Sequence, residues 1–184
     1  MSLSVAAESP LTEDGRRLLG ELIEYVERLY PSEGLPAPGP EEVAAPDYTF
    51  FVARADGKAL GCAALRADAE GYCELKRMYV AQKGRGRGVA KALLAAVEAE
   101  AARRGYDALR LHSAKAMQGA IALYRAAGYR DRARFWKYPD SDINLYMEKA
   151  LPMREDVVTD GGDASRVKNA PKAEDGFVVP KVVE

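Results

Sequence analysis

Between Lys76 and Leu94 the chain reads KRMYVAQKGRGRGVAKALL, a strand-like run that passes through three glycines and several cations into a helix-like run. Few arrangements need so bare a backbone at such a junction. Glycine lets the chain turn sharply and come close to a ligand. The helix that follows offers unpaired N–H groups and the positive end of its dipole. Together these features make a phosphate site. Two phosphate loops are excluded by their patterns. A nucleotide P-loop requires Gly-Lys followed by Ser or Thr, which this loop lacks. A dinucleotide fingerprint starting at Gly86 would need Gly or Ala where Lys91 stands, and it belongs to a parallel sheet, whereas a hairpin precedes this loop.

The flanking segments place the loop in a mixed fold. Residues 3–8 predict a short strand, and Thr12 caps a helix running to about Leu29, in which Leu18, Leu19, Leu22, Ile23, Val26 and Leu29 recur at helical spacing. The stretch YPSEGLPAPGPEE (30–42) is rich in proline and glycine and reads as a loop. TFFVARADGKALGCAAL predicts two strands joined at Asp56-Gly57, Gly71 marks the next turn, and YCELKRMYVA is a third strand. Beyond the loop, Val89, Leu93, Leu94 and Val97 give a helix one apolar face, with a stop at Gly105. YDALRLHSA predicts a strand, MQGAIALYRAAG a short helix ending at Gly128, and YRDRARFWKY and DINLYMEKA two further strands. An antiparallel front half and a strand–helix–strand unit behind it imply an α/β (α+β-like) fold, with a central mixed sheet flanked by helices.

Composition narrows the function. The chain has 184 residues and a hydrophobic content of 48%, enough for a core and consistent with one main domain. A net charge of −1 gives no global attraction to nucleic acid or to acidic membrane. No apolar run has the length of a membrane span, and MSLSVAAESP lacks a basic start followed by an apolar stretch, so a cytoplasmic protein is expected. Two cysteines, Cys62 and Cys73, form neither a disulfide framework nor a zinc set, and a single histidine, His112, makes no metal site. After Leu151 the chain changes to prolines, glycines and many charges until FVVPKVV. This divides it into a domain over 1–151 and a C-terminal charged tail over 152–184, with a short strand near 177–183 able to add to a sheet edge here or in a partner chain, as in a homodimer.

The spacing Arg-x-x-Gly-x-Ala in Arg85-Gly86-Arg87-Gly88-Val89-Ala90 resembles the coenzyme A loop of the GCN5-related N-acetyltransferases, the GNAT family. ELKRMYV resembles that family's fourth strand, AIALYRAAGY its later helix with a tyrosine before a Gly-aromatic pair, and SDINLYMEKAL its closing strand. The resemblance is specific over 74–128 and covers roughly 3–151 as ordered elements. It departs from the pattern at Met117, where the family often has Asn, with Gln118 beside it as a substitute.

The resemblance implies a GNAT acyl-CoA N-acyltransferase fold, acetyl-CoA as cosubstrate, no metal, and direct attack of a primary amine of a small molecule or peptide on the thioester. Met78, Tyr79 and Val80 would contact the pantetheine arm and the carbonyl, at a bulge where the cofactor docks like another strand. Backbone amides of Arg85, Gly86, Arg87, Gly88, Val89 and Ala90 would take the pyrophosphate. Glu74 stands at the place of the catalytic glutamate in histone-type members, and a carboxylate near pKa 4.3 needs burial or a water relay to serve as base. Tyr124 would give a proton to the leaving thiolate. His112 is the alternative base, and solvent a third. The helix and loop lining the acceptor side in the family correspond to a stretch carrying Tyr30, Ser32 and Glu33, and Trp136 and Tyr138 would close over a substrate.

Three other functions compete. One keeps the fold and uses a different acyl-CoA, a choice that Ala63 and Ala64 would govern. Another is a CoA-binding sensor or interaction module without transfer, which the presence of both Glu74 and Tyr124 opposes. The third, nucleic-acid binding through GRGRG, is opposed by the net charge and by the lack of aromatics in the loop.

Overall fold

Alternation of side chains along β-strands sets this architecture, because each central strand buries both of its faces. The computed structural model describes residues 2–29, 39–68, 72–136, 138 and 141–152. The turn expected at Gly71, the loop residues Tyr30, Ser32 and Glu33, and the tail from 153 onward, with the strand expected near 177–183, lie outside the described residues. The described residues fall within one unit, Met1–Arg154.

The strands are β1 (Leu3–Ala7), β2 (Tyr48–Ala55), β3 (Lys58–Ala67), β4 (Cys73–Val80), β5 (Ala108–Ala114), β6 (Arg130–Asp131) and β7 (Asn144–Ala150). They form one sheet in the order β1-β2-β3-β4-β5-β7-β6. Every neighbouring pair is antiparallel except β4 with β5. The helices are α1 (Glu13–Leu29), α2 (Pro40–Val43), α3 (Val89–Arg103) and α4 (Gln118–Ala126).

On one face, Cys73 and Leu75 of β4 and Leu109 and Leu111 of β5 pack with Val89, Leu93, Leu94 and Val97 of α3 and with Tyr124 of α4. On the other face, Phe50 and Val52 of β2 and Cys62 and Ala64 of β3 pack with Leu18 and Leu19 of α1 and Val43 of α2. A third group, Tyr72, Phe135, Tyr138 and Tyr146, packs ring against ring. Tyr146 is one residue from Met147 of the α3-side core, so this aromatic group lies on the face away from α3.

Several local expectations are met for the stated physical reason. Thr12 Oγ1 accepts the Gly15 N–H at 3.1 Å, the N-cap bond of α1. Asp56 and Gly57 have φ of 49° and 78°, the left-handed pair that a two-residue hairpin turn requires. Others need correction. The proline-rich stretch 30–42 is not all loop, since Pro40 opens α2 at a position where its missing N–H costs nothing. The strand read over YRDRARFWKY is only Arg130–Asp131. Beyond it the chain leaves the sheet, and its aromatics turn into the third cluster instead of pairing.

Candidate active site

The site grows from a defect in β4. Cys62 of β3 pairs with Tyr79 and Ala64 with Lys76, so two residues, Arg77 and Met78, oppose Ala63 alone. This is a β-bulge, and Arg77 carries it at φ 54°. On its other edge β4 pairs with β5 only from Cys73 to Leu75. From Lys76 to Val80 the strands diverge, and the edge of β4 facing β5 has no strand partner. An unpaired edge with free N–H and C=O groups is a docking edge for an extended ligand.

A cleft of about 810 Å³ opens at this divergence. Met78, Tyr79 and Val80 line it from β4; Arg85, Gly86, Gly88, Val89 and Ala90 from the glycine loop and the start of α3; and Tyr124 from α4. The structure therefore brings together the residues assigned to the cofactor with one exception, since Arg87 lines a separate recess with Lys58 and Lys83. Met117 and Gln118 line the cleft on the far side, and the Gln118 amide donates to the Lys115 carbonyl at 2.6 Å.

The loop fits a pyrophosphate. Gly86 and Gly88 have φ of 72° and 79°, and a Cβ built on either would meet nothing within 4 Å. The space above the loop is thus open to a ligand, and the left-handed backbone disfavours any side chain there. Gly88 caps α3 without a side-chain hydrogen bond, so the first N–H groups of the helix point out unpaired. Gly61 serves another end: a Cβ there would sit 2.7 Å from the Tyr79 carbonyl and 3.0 Å from Val89, so its absence lets α3 lie close against β3 and β4.

Tyr124 is buried at 7% exposure, and its hydroxyl donates to the Met78 sulfur at 3.6 Å. Burial raises its pKa, so it stays a protonated phenol able to donate a hydrogen bond.

Glu74 does not line this cleft. It points to the opposite face of β4, fully buried. Its Oε1 accepts from the Tyr138 hydroxyl and from Lys76 Nζ at 3.2 Å, and its Oε2 lies 3.2 Å from the Arg66 guanidinium. Lys76 also donates to Tyr138. Burial holds the Lys76 ammonium below its ordinary pKa and pushes the Tyr138 phenol up. His112 stands across the divergence on β5, where Nε2 pairs with Asn144 Oδ1 at 2.9 Å and the ring lies 4.3 Å from that of Tyr138. Trp136 packs against Tyr138 and lies under the Arg66 guanidinium. Both candidate bases, and the two aromatics expected near the substrate, thus belong to one network behind β4. Its hub, Tyr138, was expected from the sequence to close over a substrate, and its bonds to Glu74 and Lys76 were not. Cys62 and Cys73 are buried on opposite faces, and burial pushes both thiols up to about 12, which leaves them unreactive at neutral pH.

Among the described residues no helix is long and apolar enough to cross a membrane, and no group of three or more His, Cys, Asp or Glu is placed to hold a metal ion.

The chain is 39% identical over 151 residues to an IAA acetyltransferase from Azospirillum brasilense, covering 82% of this chain and 99% of that one. Its fold matches the crystal structure of a putative acyl-CoA N-acyltransferase from Klebsiella pneumoniae at 32% identity and a TM-score of 0.68, over 81% of this chain and 97% of that one. It also matches PaiA N-acetyltransferase from Thermoplasma acidophilum, solved in complex with coenzyme A, at 20% identity and a TM-score of 0.64, over 82% and 100% of the two chains. A shorter likeness is of another kind. Over 44 residues, 23% of this chain, it is 69% identical to one component of the aspartyl/glutamyl-tRNA(Asn/Gln) amidotransferase of a Caulobacter strain, spanning 46% of that protein. The family model described as "Acetyltransferase (GNAT) family" matches residues 19–129. With an opened parallel pair, a bulged fourth strand and a glycine loop at a helix start, the chain belongs to the GNAT acetyltransferase family and is an acyltransferase.

Proposed function

We propose that the protein transfers the acetyl group of acetyl-CoA to a primary amine by direct attack. The observation that carries this is the single cleft in which the open loop at Gly86 and Gly88, the unpaired edge of β4 and the Tyr124 hydroxyl meet. The amides from Arg85 to Ala90 hold the pyrophosphate, and Met78, Tyr79 and Val80 position the pantetheine arm along β4. The amine then approaches from the other side of the divergence, where Lys76, His112 and Tyr138 stand. The bond from nitrogen to the acetyl carbon forms, the bond to sulfur breaks, and Tyr124 supplies the proton that makes the thiolate a thiol. Glu74 receives the amine proton through the Tyr138 hydroxyl, because its own carboxylate lies behind that group.

The test is calorimetric titration of the full chain with acetyl-CoA, CoA, ATP and NAD, followed by thiol release with a panel of amines. Binding of the two CoA forms alone, with amine-dependent thiol release, is expected. Equal binding of ATP would overturn the assignment of the loop, and CoA binding without release for any amine would favour the sensor reading. For Glu74, the pH–rate profile decides. Glu74→Gln should slow turnover most where the amine is protonated and recover in part at higher pH, whereas wild-type rates throughout would pass the role to His112 or solvent.

The organisation into a catalytic domain over 1–151 and a tail is also a proposal. The acetyltransferase relative aligns over 151 of the 184 residues and leaves 33, fewer than the 44 of the amidotransferase-like stretch, so the two likenesses overlap and the boundary at 151 is not fixed by them. A chain cut after Leu151 should keep its CoA affinity, and failure of that chain to fold would show that the tail completes the domain.

A further inference from the structure

The face of β4 away from the cofactor cleft carries three cations, two of them in close ion pairs. Arg66, Lys76 and Arg77 meet there, against Glu74 and Asp68. Glu74 is occupied by Lys76, Arg66 and Tyr138, and Asp68 binds Arg66 at 3.1 Å. Arg77 is left over. Its Nε is buried with no hydrogen-bond partner, and it forms no ion pair among the described residues. Glu42, exposed on α2, acts on it only through space. Burial holds the Arg77 guanidinium below its ordinary pKa, and Tyr48, Tyr138 and Cys62 act on it, like Glu42, through space. The bulge holds Arg77 at φ 54°, a left-handed conformation that a β-carbon disfavours.

Such an arrangement suits a ligand that arrives with a negative charge. A guanidinium is charged at every relevant pH and presents a fork that matches a carboxylate. The same cations would repel an ammonium, which favours entry of the acceptor amine in its neutral, attacking form. An acceptor bearing only an amine would gain nothing from Arg77, whereas one that also bears a carboxylate would pair with it. We propose that the acceptor is a small amine carrying a carboxylate, and that Arg77 is the residue that binds this carboxylate.

The inference rests on the acetyl-transfer reading above, so its test has two arms. In the first, thiol release from acetyl-CoA is measured with free amino acids and with the matching amino acid amides. The acids should have a kcat/KM at least about tenfold above the amides, since a bidentate charged pair is among the stronger hydrogen-bonded contacts. Arg77→Asn should abolish that preference mainly through KM. Asparagine tolerates the left-handed backbone, and Arg77→Gln serves as a second variant should the first misfold. Equal kcat/KM for acids and amides in the wild type would overturn the carboxylate site and leave acetyl transfer standing. In the second arm, calorimetry follows the binding of N-acetyl amino acids and their amides to the CoA-saturated chain. Binding that depends on the carboxylate and on Arg77, without turnover of any amine, would sustain the site and refute transfer. Binding indifferent to both would refute the site.

Discussion

On the α3 side of β4 the site is made of backbone: the open strand edge, the left-handed glycines and the first N–H groups of α3. On the opposite side it is made of side chains drawn from distant elements, with Arg66 from β3, Glu74, Lys76 and Arg77 from β4, His112 from β5 and Tyr138 from the connection between β6 and β7. The first works by geometry. Its donors are fixed before any ligand arrives. The second works by charge. Each of its buried groups relies on the others, so replacing one leaves a neighbour uncompensated. The two halves should therefore respond to mutation in different observables.

The largest expected effect joins them at the reacting atoms. Tyr124→Phe keeps the ring and removes the proton donor, so kcat should fall by roughly 10²–10⁴ with acetyl-CoA affinity retained. Raising the pH should not restore the rate, since it supplies no acid. A rate loss accompanied by an equal loss of CoA affinity would place Tyr124 in binding instead.

Glu74→Gln should act on stability first. Lys76 and Arg66 would lose their buried counter-charge, with side-chain exposures of 16% and 11% around a carboxylate at 0%. Breaking a buried pair in this way costs about 3–5 kcal/mol, which in a chain of this size lowers the melting temperature on the order of 10 °C. CoA affinity measured below the melting range should stay near wild type, because Glu74 does not touch the cleft. A CoA affinity that falls with the melting temperature would show that the two faces are one cooperative site.

Gly88→Ala tests the backbone side with a smaller perturbation. The strain at φ 79° should cost about 1–2 kcal/mol. The methyl group enters the open space above the loop, so CoA affinity should drop about tenfold or more. Binding unchanged in a folded Gly88→Ala protein would move the pyrophosphate elsewhere, with the recess lined by Lys58, Lys83 and Arg87 as the next place to look.

This contrast also explains what the sequence could reveal. The cofactor side is encoded in one short segment, so the turn at Gly86 and Gly88 and the start of α3 could be read locally, and the family resemblance supplied the ligand. The hairpin at Asp56-Gly57 and the cap at Thr12 were equally local. The bulge at Arg77 and Met78 was not legible from these residues, because it depends on which residues of β3 lie opposite. The two-residue β6 failed for a related reason. The strand-forming aromatics of YRDRARFWKY found a better partner in each other and in Tyr72 and Tyr146 than in the sheet. The Glu74–Tyr138 bond spans 64 positions in sequence, beyond the reach of any periodicity.

The smallest expected effect concerns His112, which belongs to the charged face yet pairs with a neutral amide. Burial holds its imidazole below the ordinary value of 6.5; Lys76 nearby acts in the same direction, while the bond to Asn144 and the charge of Glu74 oppose it. The unfolded chain therefore takes up a proton before the folded one as the pH falls through 6.5. Stability that is fully present above that value is lost as the pH drops toward the folded-state pKa. His112→Gln removes the titrating ring and can still donate to Asn144 Oδ1. Melting temperatures of the two proteins should thus converge as the pH is lowered from about 7.5 to about 5.5, with the wild type showing the steeper decline. Acidification below about 4.5 would mix in the carboxylates and is avoided. Parallel declines in the two proteins would mean that His112 is solvated enough to titrate normally. The ring would then be as accessible as a base needs to be, and the proton relay through Tyr138 would have a rival on the same face.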